Sequence, residues 1–135
     1  MAETKKILIL FEDGKIREES ILYGVELGRR MESSLCVLML MAGAERNNNS
    51  LWEGVLNGAL ETIRNGGIQV VCEIRYGDKT SEFLKFLAVG PHLSAIVWGS
   101  NAGVIIERGK KPGHWFTRAA EQVGCPIVSA TIKNT

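Results

Sequence analysis

Three uninterrupted apolar runs constrain the fold of this chain more than any other feature of its sequence. They are Ile7 to Phe11, Leu35 to Met41 and Ile96 to Trp98. A strand without polar side chains has to be covered on both faces, as the central strands of parallel sheets are. Between these runs apolar residues recur every three or four positions, which is typical of helices packed on a sheet. The pattern therefore predicts an α/β fold.

Two further strand-like segments have a different pattern. Ile68 to Tyr76 alternates apolar with polar residues, and Ile127 to Ile132 carries Ser129 and Thr131 on one side. Such alternation fits strands near the sheet edges, where one face meets water. With right-handed crossovers, the simplest arrangement is a single doubly wound parallel five-stranded sheet of order 3-2-1-4-5, with helices on both faces. Residues 1–135 are expected to form one such domain.

The same patterns predict several details of packing. Leu22 falls on the apolar face of the first helix, and Thr80 or Ser81 is placed to cap the third helix. Cys36 and Cys72 lie inside strand-like runs, where a reduced cysteine behaves as a small hydrophobe.

Composition excludes several classes of function. The chain has a net charge of +1, with 45% hydrophobic and 23% charged residues, so it is predicted to be globular and to bind neither nucleic acid nor a membrane. No apolar run approaches the roughly 20 residues that cross a bilayer, and the start lacks a signal core. The third cysteine, Cys125, completes no zinc or redox spacing, so no metal site is predicted. The chain is expected to be cytoplasmic.

The predicted strand order reverses direction between the first and fourth strands, and ligands of open α/β sheets bind at such a switch point. The walls of this crevice would be Glu12-Asp13-Gly14 and Gly99 to Gly103. Gly99 and Gly103 permit backbone angles closed to other residues, and they would let a ligand approach the main chain. A strand-to-loop turn without a ligand accounts for these residues equally well.

The order of these segments resembles a universal stress protein domain over nearly the whole chain. The residues that carry the resemblance are Gly77-Asp78, Gly99-Ser100 and the spacing from Gly113 to Cys125-Pro126. The resemblance implies a stress-response or regulatory domain. It also implies a dimer formed through the last strand, Ile127 to Ile132, which lacks the usual protection of a sheet edge.

One branch of that family binds ATP through Gly, two residues, Gly, nine residues, and Gly followed by Ser or Thr. The glycines bring N–H groups to the phosphates, and the last pair opens a helix whose N-terminus favours anions. Here Ala102 stands at the second glycine with Gly103 one place late, and His114 follows Gly113 in place of the hydroxyl residue. Trp115-Phe116 is also bulkier than the corresponding residues of the binders.

If a nucleotide binds, the resemblance implies the following contacts: Glu12, Asp13, Gly99, Ser100, Asn101, Gly103, Gly113 and His114. The acidic residue that contacts adenosine corresponds to either Glu12 or Asp13, because the alignment slips by one position there. His114 either donates to a phosphate or is an exposed residue without a ligand. The sequence does not indicate that the protein requires a cofactor. The resemblance allows ATP or AMP as a ligand.

Three functions remain open on the sequence. The first is a cytoplasmic regulatory domain of the universal stress type, acting as a homodimer with a degenerate nucleotide loop and an unknown protein partner. The alternative is a genuine ATP- or AMP-binding universal stress protein, with slow hydrolysis. The third is an enzyme that uses the crevice, but no Ser-His-acid or Cys-His set is apparent, so no catalytic residue is predicted.

Overall fold

The computed structural model describes residues 5–42, 51–100 and 115–129, in which strands alternate with helices. The strands are β1 (Lys6–Glu12), β2 (Ser34–Met41), β3 (Val70–Tyr76), β4 (Leu93–Trp98) and β5 (Ile127–Ser129). The helices are α1 (Glu18–Met31), α2 (Leu51–Asn65), α3 (Lys79–Val89) and α4 (Trp115–Ala119), the last followed by a 3-10 turn over Ala120–Gln122. None of the helices in these ranges has the length and apolarity to cross a bilayer.

All strand pairs are parallel, and the strand order is β3-β2-β1-β4-β5. This confirms the predicted five-stranded sheet and its order. The central position of β1 is seen in the register, where Leu8 pairs with Cys36 of β2 and with Ile96 of β4. The described part of the last strand ends at Ser129, and its predicted continuation to Ile132 lies outside the described residues.

Alternate side chains of the sheet enter two separate cores. Ile7, Ile9 and Phe11 of β1 pack in the layer covered by α1 and α2. Leu8 and Leu10 pack in the layer covered by α3 and α4. An apolar side chain on each face explains why β1 has no polar position between its ends.

The first helix approaches the sheet more closely than its apolar pattern indicates. Ile21 and Val25 are buried, but Leu22 is exposed, so the prediction that Leu22 faces the sheet is wrong. A Cβ built on Gly24 would lie 2.6 Å from Cδ1 of Ile9. The contact face of α1 therefore centres on this glycine, and that rotation leaves Leu22 in solvent.

Two other local predictions also need correction. Cys72 is exposed because β3 is an edge strand, whereas Cys36 is buried as predicted. Asp78, not Thr80 or Ser81, caps α3, because its carboxylate accepts a hydrogen bond of 2.9 Å from the Ser81 N–H. The helix begins one residue after Asp78, which puts that carboxylate at the N-cap.

Candidate functional site

The turn that follows β1 forms one wall of the switch-point crevice. Asp13 and Gly14 have φ values of 52° and 73°, and the Lys15 N–H donates to the Glu12 carbonyl at 2.9 Å. Positive φ at both central residues is the mark of a type I′ turn, which favours Asp-Gly. The turn places the carboxylates of Glu12 and Asp13 at the carboxyl edge of the sheet.

Ser100 joins this turn to the end of β4. Its Oγ accepts a hydrogen bond of 2.7 Å from the Glu12 N–H and donates one of 2.5 Å to the Lys15 carbonyl. The preceding residue, Gly99, donates its N–H to the Leu10 carbonyl at 2.8 Å. Ser100 is buried, and its hydroxyl proton forms the hydrogen bond to the Lys15 carbonyl. The two predicted walls of the crevice are therefore in direct contact at this point.

Gly99 is needed for a different reason from the predicted one. Its φ lies outside the left-handed region, so Gly99 does not use the backbone freedom that a glycine permits there. A Cβ at this position would lie 2.4 Å from Cε1 of Phe11 and 3.2 Å from the Leu10 carbonyl oxygen. The glycine provides room for the Phe11 ring.

Lys79, the first residue of α3, bridges both carboxylates of the turn. Its Nζ donates to Oε1 of Glu12 at 2.8 Å and to Oδ2 of Asp13. Burial by itself lowers the pKa of Lys79, but the hydrogen bonds to Asp13 and Glu12 outweigh it, and the pKa is raised overall. Lys79 therefore carries its positive charge at neutral pH and offsets part of the negative charge of the acidic pair.

Trp115, at the start of α4, contributes a second donor to the same oxygen. Its Nε1 donates to Oε1 of Glu12 at 2.8 Å. The indole meets Phe83 edge-on at 5.8 Å and Trp98 at 6.1 Å between ring centroids, and Phe116 stacks on Trp98 at 4.8 Å. These four rings hold the start of α4 beside the crevice.

The structure brings together half of the residues that the resemblance implicates. Glu12, Asp13, Gly99 and Ser100 meet at the carboxyl ends of β1 and β4. The other implicated residues, Asn101, Gly103, Gly113 and His114, lie outside the described residues. In the part of the chain that the structure describes, no three His, Cys, Asp or Glu side chains are grouped closely enough to hold a metal ion. The role of these residues in nucleotide binding stays a prediction.

Lys79 and Trp115 are site residues that were not predicted from the sequence. The available signal for Lys79 was its place directly after Gly77-Asp78, at the carboxyl end of a parallel strand and thus at the same sheet edge as Glu12. The signal for Trp115 was its place next to the end of the nucleotide motif. Neither signal indicates which carboxylate is contacted.

The hydrogen bonds from Lys79 and Trp115 mean that a ligand at this edge has to compete for the Glu12 carboxylate. A ligand hydroxyl or amine that used Oε1 of Glu12 would have to share it with, or displace, the Lys79 ammonium and the Trp115 indole. Exchange of one hydrogen bond for another contributes little net free energy. Glu12 is therefore a poor anchor for a neutral donor while Lys79 and Trp115 hold it.

Neither protein-family models nor curated protein sequences gave a match to the chain. Solved structures did. A universal stress protein from Archaeoglobus fulgidus is 16% identical, with 96% of this chain and 95% of that chain covered, at a TM-score of 0.65. Universal stress protein UspA from Lactobacillus plantarum is 13% identical, with 97% of this chain and 100% of that chain covered, at a TM-score of 0.59.

A universal stress protein in complex with cAMP is 8% identical, with 96% of this chain and 99% of that chain covered, at a TM-score of 0.62. Identities this low establish likeness of fold and leave function open. The chain therefore has the fold of the universal stress proteins over nearly its whole length.

Proposed function

We propose that this chain is a regulatory domain of the universal stress type that acts in the cytoplasm as a homodimer and holds no tightly bound nucleotide. The shared fold supports the class of domain. The observation that carries the absence of a tightly bound nucleotide is the bridge from Lys79 to Glu12 and Asp13. The resemblance assigns the contact with adenosine to one of these two acidic residues.

Weak nucleotide binding follows from two independent arguments. At the acidic pair, adenosine would exchange with Lys79 and Trp115, so its hydrogen bonds would add little net affinity. At the phosphates, the second glycine and the hydroxyl residue of the motif are missing from the sequence. Each lost hydrogen bond to a charged acceptor removes about 1.5–3 kcal/mol. Together these two losses lower the affinity by about two to four powers of ten.

Calorimetric titration with ATP and with AMP tests this proposal. We expect no saturable heat at tens of micromolar protein, and the same result from a Gly113→Val variant. Micromolar binding that Gly113→Val abolishes would contradict the proposal. It would support the alternative of a genuine nucleotide-binding universal stress protein.

The alternative is favoured by one observation, the solved universal stress protein in complex with cAMP that shares this fold. If this chain binds nucleotide in the same crevice, Lys79 has to leave Glu12 to admit the ligand. A Lys79→Met variant would then bind AMP more tightly than the wild type. Under the main proposal, neither protein binds AMP tightly.

The homodimer is proposed through the last strand, Ile127 to Ile132. In the described residues β5 ends the strand order, and no described strand pairs with its outer side. Two-fold pairing with a copy would cover this edge and close the assembly. Sedimentation should show a dimer at tens of micromolar, and Ala130→Pro should convert it to a monomer because proline removes an edge N–H. A wild-type monomer under these conditions would contradict this part of the proposal.

A further inference from the structure

A groove of about 260 Å³ opens beside the edge strand β3, on the face of the sheet that α3 covers. Lys6 of β1, Cys36 of β2 and Val71 of β3 line it from the sheet, and Phe86 and Val89 line it from the helix. On β1 and β2 the lining residues lie near the amino-terminal ends of the strands, and on β3 the lining extends to Arg75. None of the crevice residues Glu12, Asp13, Gly99 and Ser100 lines the groove, so the two are separate.

α3 leaves this corner of the sheet exposed. α3 has 11 residues and α2 has 15, which correspond to about 16 Å and about 22 Å of helix. α3 ends at Val89, before Gly90-Pro91. Val71 is consequently 58% exposed and Val89 79% exposed, the highest values among the large apolar side chains of the described residues.

Of the charged residues that line the groove, Arg75 and Glu73 pair with each other, and Lys6 has no carboxylate partner among the described residues. Glu73 accepts a hydrogen bond of 2.6 Å from Nε of Arg75, so these two lining residues neutralise each other. Lys6 is half-buried and donates from Nζ to Oγ of Ser34 at 2.7 Å. No carboxylate within residues 5–42, 51–100 and 115–129 forms an ion pair with Lys6. The lining therefore complements a negative charge at its Lys6 end.

Between Lys6 and the valines, the floor is apolar. Cys36 is buried, and burial raises the pKa of its thiol to about 12, so the thiol is neutral. Phe86 is buried beside it, with the Arg75 guanidinium 5.9 Å from its ring centroid. A ligand with one anionic end and an apolar body matches this distribution.

We propose that the groove binds a small amphipathic carboxylate, with the carboxylate on Lys6 and the apolar body over Cys36, Val71 and Val89. From β1 to β3 the groove spans two strand spacings, about 10 Å. Its volume equals that of roughly nine water molecules. A straight-chain acid of about eight carbons has this length and volume, so octanoate is the probe. Lys6 and Glu12 stand six positions apart on β1, about 20 Å, so this proposal is independent of nucleotide binding.

Calorimetry and amide chemical shifts in a titration with octanoate test the proposal, with octanol as the uncharged probe. Val89→Glu should weaken octanoate binding on the order of tenfold, because it removes apolar contact and adds a like charge. Val55→Glu is the matched control, since Val55 is also an exposed helical valine (54%) but lies on α2, across the sheet. It should leave binding unchanged. Lys6→Gln should weaken octanoate roughly two- to fivefold and leave octanol unaffected.

Circular dichroism of each variant establishes that it is folded. The proposal is overturned if octanoate shows no saturable binding below its micelle concentration, or if Val55→Glu weakens binding as much as Val89→Glu. It is also overturned if Lys6→Gln affects octanoate and octanol equally. A dimer that Val89→Glu dissociates and Ala130→Pro does not would assign the groove to a second copy of the chain, and so would exclude the ligand.

Discussion

Replacement of Lys79 by methionine tests the bridge at the sheet edge. Methionine keeps most of the length and apolar surface of the lysine side chain but cannot donate a hydrogen bond. The Glu12 carboxylate, whose side chain is 8% exposed, would lose its ammonium partner in the substituted protein. The Asp13 carboxylate would lose the same partner, but it is 37% exposed and can be hydrated.

The exposure of each carboxylate determines how much free energy of unfolding the Lys79→Met variant loses. Removal of one partner from a fully buried ion pair costs about 3–5 kcal/mol. We expect about 2–3 kcal/mol here, because the Trp115 indole still donates to Glu12 and water reaches Asp13. For a chain of this length that corresponds to a fall in melting temperature of about 6–15 °C.

Urea unfolding followed by circular dichroism measures the difference in free energy, and Lys85→Met is the matched control. Lys85 lies on the same helix and pairs with Glu82 at 3.3 Å, but its side chain is 67% exposed, so its loss should cost less than about 1 kcal/mol. The pKa of Lys79 is raised, so its contribution should be fully present below pH 10.5 and be lost as the pH rises through the folded value. Equal destabilisation by Lys79→Met and Lys85→Met would refute the reasoning.

Three further predictions concern the frame of the site and are measured by the same unfolding assay. Gly99→Ala should destabilise by about 1–3 kcal/mol because its methyl group meets a ring carbon at 2.4 Å, whereas Gly58→Ala, in open space on α2, should stabilise by about 0.5–1 kcal/mol. Ser100→Ala should cost about 1–3 kcal/mol, because the buried Glu12 N–H loses its acceptor. The Ser81 N–H lowers the pKa of Asp78, so the stability that Asp78→Ala removes should be present above pH 3.8 and vanish as the pH falls through the folded value.

The sheet order was predictable because a strand that is buried on both faces is apolar at consecutive positions. Ile7 to Phe11 has no polar position, so it had to lie in the middle, and Val70–Tyr76 alternates, so it had to lie near an edge. The burial of a side chain was predicted wrongly where it depends on the rotation of a helix about its axis, or on how far a helix extends over the sheet. Leu22 has the spacing of a core residue but lies on the solvent side of α1. Cys72 is in a strand but at an edge that α2 leaves exposed.

The site was less predictable than the fold, because it depends on side chains that are distant in sequence. The position of Glu12 and Ser100 at a switch point follows from strand order alone. The bridge from Lys79 to Glu12 spans 67 residues, and the bond from Trp115 spans 103. A lysine or tryptophan side chain can point in several directions from a helix start, and only the packed structure selects one.

The central claim is that no nucleotide is tightly bound, because Lys79 and Trp115 hold the acidic residues at the sheet edge and the phosphate motif lacks its second glycine and its hydroxyl residue. Its most direct test is the nucleotide content of the purified protein, measured by chromatography after acid denaturation. We expect adenine nucleotide far below one molecule per chain. Recovery of one ATP or AMP per chain would contradict it and would mean that Lys79 gives up Glu12 to the ligand.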